Sequence, residues 1–226
     1  METKIFNGKN GAFDIGYYVY LPSGFDKSKK FPMIVFLHGA GERGNGKDEL
    51  PLVNVNGLSK YASEGMEIPA ILLCPQCPKD ITWNNIVFEL KSLIDETADE
   101  YGADKDRISL TGLSMGGFGT WEMGMSFPNF FSALAPVCGG GLEWRAGLIG
   151  KTPVWAFHGD KDDVVPPERS YEMVDAVKFR GGGKPRLTIF HGVGHASWDD
   201  AYLTTKVIEW LIKQVRVDTV VSEHRL

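Results

Sequence analysis

A doubly wound α/β sheet is the fold class that this sequence predicts, on three observations. Short apolar runs alternate with amphipathic helical stretches along the chain. Several of the runs are near-continuously apolar, which suits parallel strands covered on both faces better than half-exposed ones. No internal repeat, low-complexity tract or linker divides the 226 residues, so a single domain with one large core is expected over 1–226.

The expected strands are "YYVYL" (17–21), "FPMIVFLHG" (31–39), "PAILLCP" (69–75), "RISLTGL" (107–113), "FSALAPVCG" (131–139), "TPVWAFHG" (152–159) and "RLTIFHG" (186–192). Between and after them, helices are expected over 84–101, 115–127, 167–180 and 199–214. In the first, Ile86, Leu90, Leu93, Ile94 and Thr97 recur at spacings of three and four, which places them on one face. The tail 215–226 partly alternates apolar and polar residues, as an added edge strand or a contact between copies would. Sheets of this class bind ligands beyond the carboxyl ends of their strands. What each strand leaves at that end is therefore the functional question.

Bulk properties exclude several classes. With 43% hydrophobic and 23% charged residues the composition is that of an ordinary soluble protein. A formal charge of −5 argues against nucleic acid or an anionic membrane as the main partner. No apolar run approaches the roughly 20 residues of a bilayer span. The opening "METKIFNGKNGAFD" lacks the pattern of a secretory leader. That predicts a cytoplasmic protein, or a secreted one if a leader has been removed. Three cysteines make no disulfide framework. Cys74 and Cys77 form a CPQC pair, yet Cys74 ends a strand and Pro78 follows Cys77, so neither a redox motif opening a helix nor a zinc site with a second ligand pair is present. Both are expected to be buried structural thiols. No metal-ligand set and no phosphate-binding loop appears, so no cofactor is implied.

The chemistry concentrates at three strand ends. "LTGLSMGGFGTW" (110–121) closes one strand with Gly112-Leu113-Ser114-Met115-Gly116 and opens a helix. A G-x-S-x-G there makes a sharp turn that lifts the serine hydroxyl above the sheet; glycines two before and two after let strand and helix backbones approach. The Met115 N–H then faces the same space. A serine hydroxyl needs an adjacent base, and His195, in the loop "GVGHASW" after the last strand, is the candidate. His191 is expected to pack within or at the end of that strand, His224 lies in the tail, and His38 and His158 each precede a glycine where a ring can brace a loop. The base needs a carboxylate to orient it. "HGDKDDVVP" (158–166) offers Asp160, Asp162 and Asp163. The order serine, acid, histidine is the one expected on this kind of sheet.

These motifs, over about residues 15–213, resemble the α/β-hydrolases of the compact esterase and predicted-peptidase kind. In that superfamily the acid loop commonly reads H-G-x-x-D-x-x-V-P, matched here by His158, Gly159, Asp162, Val165 and Pro166; the resemblance selects Asp162, with Asp163 next. It also implies that "HGAGERG" (38–44) supplies an oxyanion donor, the Ala40 N–H, alongside that of Met115. Glu42 and Arg43 could pair to brace that loop. In "CPQCPKDITWNN", Gln76 and Trp83 follow a strand end where related esterases line their pockets; Trp144 and Trp198 are further aromatic candidates for the walls. Dienelactone hydrolases carry a cysteine and haloalkane dehalogenases an aspartate where this chain has Ser114. The implied activity is serine carboxylic-ester hydrolysis of short-chain or small aromatic acyl esters, soluble or polymer-linked, with feruloyl and acetylxylan esterases as the nearest specialisations. A peptidase is a weaker reading, because the prolyl-oligopeptidase enzymes usually carry a gating domain. A non-catalytic binding protein on the same scaffold is weaker still, since such chains usually lose a triad residue.

Overall fold

The computed structural model describes residues 1–7, 14–180 and 184–217. Eight strands form one sheet: β1 (Glu2–Asn7), β2 (Asp14–Tyr20), β3 (Met33–Leu37), β4 (Ile71–Pro75), β5 (Ile108–Leu113), β6 (Ala133–Val137), β7 (Trp155–Gly159) and β8 (Arg186–Phe190). Their spatial order is β1-β2-β4-β3-β5-β6-β7-β8. The first two strands and the β2–β4 pair run antiparallel, and every pair from β4 to β8 is parallel. The inner strands β3, β4, β5, β6 and β7 are buried at every position, which is why they read as predominantly apolar runs.

Helices cover both faces. On one lie α2 (Val87–Tyr101), α3 (Met115–Ser126) and α4 (Glu168–Arg180), whose Leu90, Leu93, Ile94, Trp121, Met123, Met173 and Val177 pack with Met33, Val35 and Leu37 of β3. On the other lie α1 (Gly57–Ser63) and α5 (Val207–Lys213), whose Leu58, Tyr61, Val207 and Leu211 pack with Ile34 and Phe36. Alternate residues of β3 thus feed opposite cores, as the two-residue repeat of a strand requires. Among the described residues, no helix is long and apolar enough to cross a membrane.

Several boundaries differ from the sequence reading for identifiable reasons. The helix expected from residue 84 begins at Val87, because Trp83–Asn85 form a separate 3₁₀ turn with Thr82 and Asn85 bonded as its capping box. The expected helix 199–214 divides. A π turn over Asp200–Thr204 precedes α5, and at the break the Thr205 hydroxyl donates to the Ala201 carbonyl at 2.6 Å while accepting from the Val207 N–H at 3.1 Å. Strand β1 is an addition: only Phe6 of its six residues is buried, so it shows no apolar pattern. Helix α1 is also an addition, seven residues opened by a left-handed Gly57. Of the tail, residues 218–226 lie outside the described residues. Arg216 ties the chain after α5 to Asp106, with its N–H on the Asp106 carbonyl and its guanidinium on the carboxylate, each at 2.7 Å. His224 also lies outside the described residues.

The chain leaves β3 for β4 on one side and returns through α2 to β5 on the other. The strand order therefore switches direction between β3 and β5, the place where ligands sit on such sheets.

Candidate active site

Ser114 stands between β5 and α3 at that switch, with φ 52° and ψ −118°. A left-handed backbone at a non-glycine residue is strained, and it persists only where the surroundings impose it. Here the neighbours do so by contact. A Cβ at Gly116 would lie 1.9 Å from the Leu37 carbonyl oxygen, and one at Gly112 would lie 2.5 Å from that of Gly116. The Ser114 N–H is held by the Val137 carbonyl at 3.0 Å and the Cys138 Sγ at 3.3 Å. Strand, turn and helix are pressed together, and the hydroxyl is what remains outside.

His195 Nε2 is 2.9 Å from Ser114 Oγ, and His195 Nδ1 is 2.7 Å from Asp162 Oδ2. Asp162 is buried, and burial works against its charge. The N–H groups of His195, Val165 and Val164 outweigh that and hold the carboxyl below its ordinary range. An ionised carboxylate only accepts, so Nδ1 carries the histidine proton and Nε2 is free to take the one on Ser114. Asp162 Oδ1 accepts from Val164 N–H at 2.9 Å and Val165 N–H at 2.8 Å. The other two aspartates stand apart: Asp160 accepts from His191 and the Gly192 N–H, and Asp163 is exposed. His191, expected to be packed, lies just beyond β8 and is exposed.

The loop after β3 lies against the serine: a Cβ at Gly39 would be 3.6 Å from that of Ser114. Ala40 and Met115 each occupy the first position of a helical turn, where the backbone N–H has no carbonyl partner within the helix. The braces behind this loop correct two expectations. Gln76 does not line a pocket. It is 1% exposed, accepts from the Gly46 N–H and donates to the Glu42 and Glu49 carbonyls. Trp83 is fully buried, edge-on to His38, and donates to the His38 carbonyl at 3.0 Å. Both fill the space behind the loop. His38 Nε2 accepts from the Cys77 N–H, and burial lowers its pKa to about 4, so it braces as a neutral ring. Glu42 and Arg43 do not pair with each other: Glu42 accepts from Asn56, while Arg43 donates to the Ala40 and Ile81 carbonyls.

A hollow of about 370 Å³ opens beside the serine, lined by Thr82, Asn84, Ser114, Met115 and Phe118. Thr82, Asn84 and Phe118 were not among the candidates. The signal was local geometry: Trp83 turns inward, so its neighbours face out, and Phe118 lies one helical turn beyond Ser114 on α3. Trp198 is half-buried and edge-on to His195 at 5.7 Å. Trp144, by contrast, is 63% exposed and borders a separate hollow with Arg145, Gly147, Leu148 and Arg180. It is not a wall of this site.

Residues 146–217, which carry Asp162 and His195, match the prolyl oligopeptidase family model. A solved structure described as a thermostable esterase superposes with a TM-score of 0.80 at 33% identity, covering 95% of this chain and 63% of that one. The chain has the α/β-hydrolase fold. Among curated proteins, the chain is similar to poly(3-hydroxyalkanoate) depolymerase C of Paucimonas lemoignei, 22% identical over 196 residues that make up 84% of this chain and 46% of that protein. It is also similar to feruloyl esterase B of Thermothelomyces thermophilus, 24% identical over 226 residues, 89% of this chain and 69% of that one. The chain thus spans about half the length of the first of these relatives.

Cys138, Asp162 and His195 have side-chain donor atoms within 4.8 Å of one another. Both His195 nitrogens are already engaged within the protein, and burial pushes the Cys138 thiol up to about 12. Cys77 is likewise raised to about 12 and Cys74 well above its ordinary range, in each case chiefly by burial. All three thiols should therefore resist a thiol reagent at pH 8 in the native protein and react together on unfolding. Rapid labelling of a native cysteine, counted by mass spectrometry, would contradict this environment.

Proposed function

We propose that the protein hydrolyses carboxylic esters through an acyl-enzyme on Ser114, with His195 as the base and Asp162 as its orienting carboxylate. The observation that carries this is the single hydrogen-bonded line from Ser114 Oγ through both His195 nitrogens to Asp162 Oδ2, anchored on a strained elbow. Ser114 Oγ attacks the carbonyl carbon while its proton passes to His195 Nε2. The carbonyl oxygen takes the developing charge, and the N–H groups of Ala40 and Met115 are the proposed donors. Collapse of the tetrahedral intermediate breaks the bond to the alcohol oxygen, which leaves with the histidine proton. Water then attacks the acyl-enzyme, gives one proton to His195, and releases the carboxylic acid as Ser114 recovers its hydrogen.

Short-chain or compact aromatic acyl esters are the proposed substrates. The hollow beside Ser114 is small and part polar, lined by Phe118 and Met115 together with Thr82 and Asn84. Between β6 and β7 the chain forms only a 3₁₀ turn over Glu143–Ile149, too little to fold over a long acyl chain. The similarity to a feruloyl esterase supports an aromatic acyl group, and that to a polyester depolymerase supports a polymer-linked ester. Acetylxylan is the other polymer to include in the screen.

Ser114→Ala should lose about 10⁴-fold or more in kcat/KM with p-nitrophenyl acetate while keeping its circular dichroism spectrum. An organophosphonate should label Ser114 alone; label elsewhere, or an active alanine variant, refutes the assignment. Asp162→Asn should cost far more than Asp160→Asn or Asp163→Asn, because Asp162 alone of the three reaches His195.

Across p-nitrophenyl esters, kcat/KM should peak between acetate and butyrate and fall beyond. A tunnel that buried each added methylene would add about 0.8 kcal/mol per step and keep the rate rising. Phe118→Ala should weaken methyl ferulate more than acetate. A profile still climbing at dodecanoate would show that the acyl group is enclosed, against this reading of the hollow.

A further inference from the structure

Asp162 Oδ2 is shared by two histidines. Besides His195 Nδ1 at 2.7 Å, it lies 3.1 Å from Nε2 of His158, a side chain with no exposure at all. The same His158 Nε2 is 2.9 Å from the Val165 carbonyl. A carbonyl and an ionised carboxylate only accept, so Nε2 must carry a hydrogen, directed between the two. On the far side of the ring, Nδ1 is 2.7 Å from the Ser170 hydroxyl, itself 3.2 Å from the Gly139 carbonyl. With Nε2 carrying the hydrogen, Nδ1 accepts from the Ser170 hydroxyl, so the hydrogen-bonded line from Ser114 continues past the carboxylate to His158 and Ser170.

We infer that His158 is a positioning residue for the base, a second donor that fixes the Asp162 carboxylate and limits how strongly it draws on His195. This rests on the reading of Ser114, His195 and Asp162 as the hydrolytic set. Two consequences separate such a role from ordinary loop packing. A second N–H on Oδ2 holds that oxygen where His195 Nδ1 meets it, so losing the donor loosens the base. It also stabilises the carboxylate charge, leaving less of that charge to stabilise the His195 imidazolium. Without it, Asp162 should favour protonated His195 more, and the acidic limb of the rate profile should move to higher pH. The other titratable group facing this cluster is Cys138, close to Asp162 and His195, whose buried thiol stays neutral across that range. Burial, the main influence on His158, lowers its pKa and favours the neutral ring.

The test compares three variants of the full chain. Gln at 158 can place its amide N–H near the position of Nε2, Asn places its amide near Nδ1 on the Ser170 side, and Leu removes both. His158→Asn and His158→Leu should lower kcat by about 10- to 100-fold, the range seen when an orienting partner behind a metal-bound histidine is removed. KM should stay within about twofold, and the acidic limb should rise by about half a pH unit. His158→Gln should recover both rate and limb. A fall in kcat with an unmoved acidic limb in His158→Asn, or no recovery in a folded His158→Gln, would reduce His158 to a structural brace. If the leucine variant does not fold, the Asn and Gln pair decides alone. Failure of the broader reading is seen separately, as an active Ser114→Ala; failure of this inference leaves Ser114→Ala inactive and His158→Asn like the parent.

Discussion

The close approach of three backbone segments around Ser114 is the constraint on which the rest of the site depends. The Leu37 carbonyl at the end of β3 touches Gly112 and Gly116, which bracket the serine, and the end of β6 meets Gly117, where a Cβ would lie 2.5 Å from the Val137 carbonyl oxygen. No side chain fits among them. This compression holds Ser114 at φ 52°, a conformation that on its own costs of order 1–3 kcal/mol. It is sustained because β3, β5 and β6 are buried along their whole length, so none can shift away. The large core therefore acts on the chemistry directly: it supplies the rigidity that keeps one hydroxyl out of the helix that follows.

The same logic extends to the loop after β3. A loop that offers backbone N–H groups to a developing charge must be stiff, because a donor that moves aside solvates that charge no better than water. This one is stiffened from behind by side chains whose polar groups are spent on its carbonyls: Trp83 on His38, Gln76 on Glu42, and Arg43 on Ala40. Such buried polar groups are stable only when satisfied. A fully engaged Gln76 thus holds the loop and has nothing left for a ligand.

That distinction marks how far the sequence could be read. Ser114, His195 and the loop 158–166 were legible because their signals are local: a turn with glycines at fixed offsets, a histidine after the last strand, a cluster of aspartates after another. Choosing Asp162 needed the resemblance, since nothing in the spelling of the loop separates it from Asp163. Strand interiors were legible for the physical reason that strands buried on both faces are mostly apolar, with few polar positions such as Ser109 and Thr111 of β5. The edge strand β1, with one buried residue, left no such trace. Gln76 and Trp83 were misplaced because a strand end tells where the chain emerges, not which side of the emerging loop faces the site. Thr82, Asn84 and Phe118 were missed for the converse reason. Their roles follow from the inward turn of Trp83 and the helical rise after Ser114, which are properties of three dimensions.

The acid loop shows why one aspartate of three is singled out. A buried carboxylate without partners would take up a proton, since desolvation penalises its charge by several kcal/mol. Asp162 keeps its charge because its two oxygens face four N–H groups: Val164 and Val165 on Oδ1, His195 and His158 on Oδ2. The backbone pair comes from the tight turn that the chain makes at residues 162–165, so the loop that delivers the carboxylate also stabilises it. Asp160, two residues earlier, faces solvent with His191 and is held by no such turn. Burial and charge are compatible at Asp162 alone of the three. That combination, a fixed negative charge out of water facing His195 Nδ1, is what gives His195 a defined tautomer.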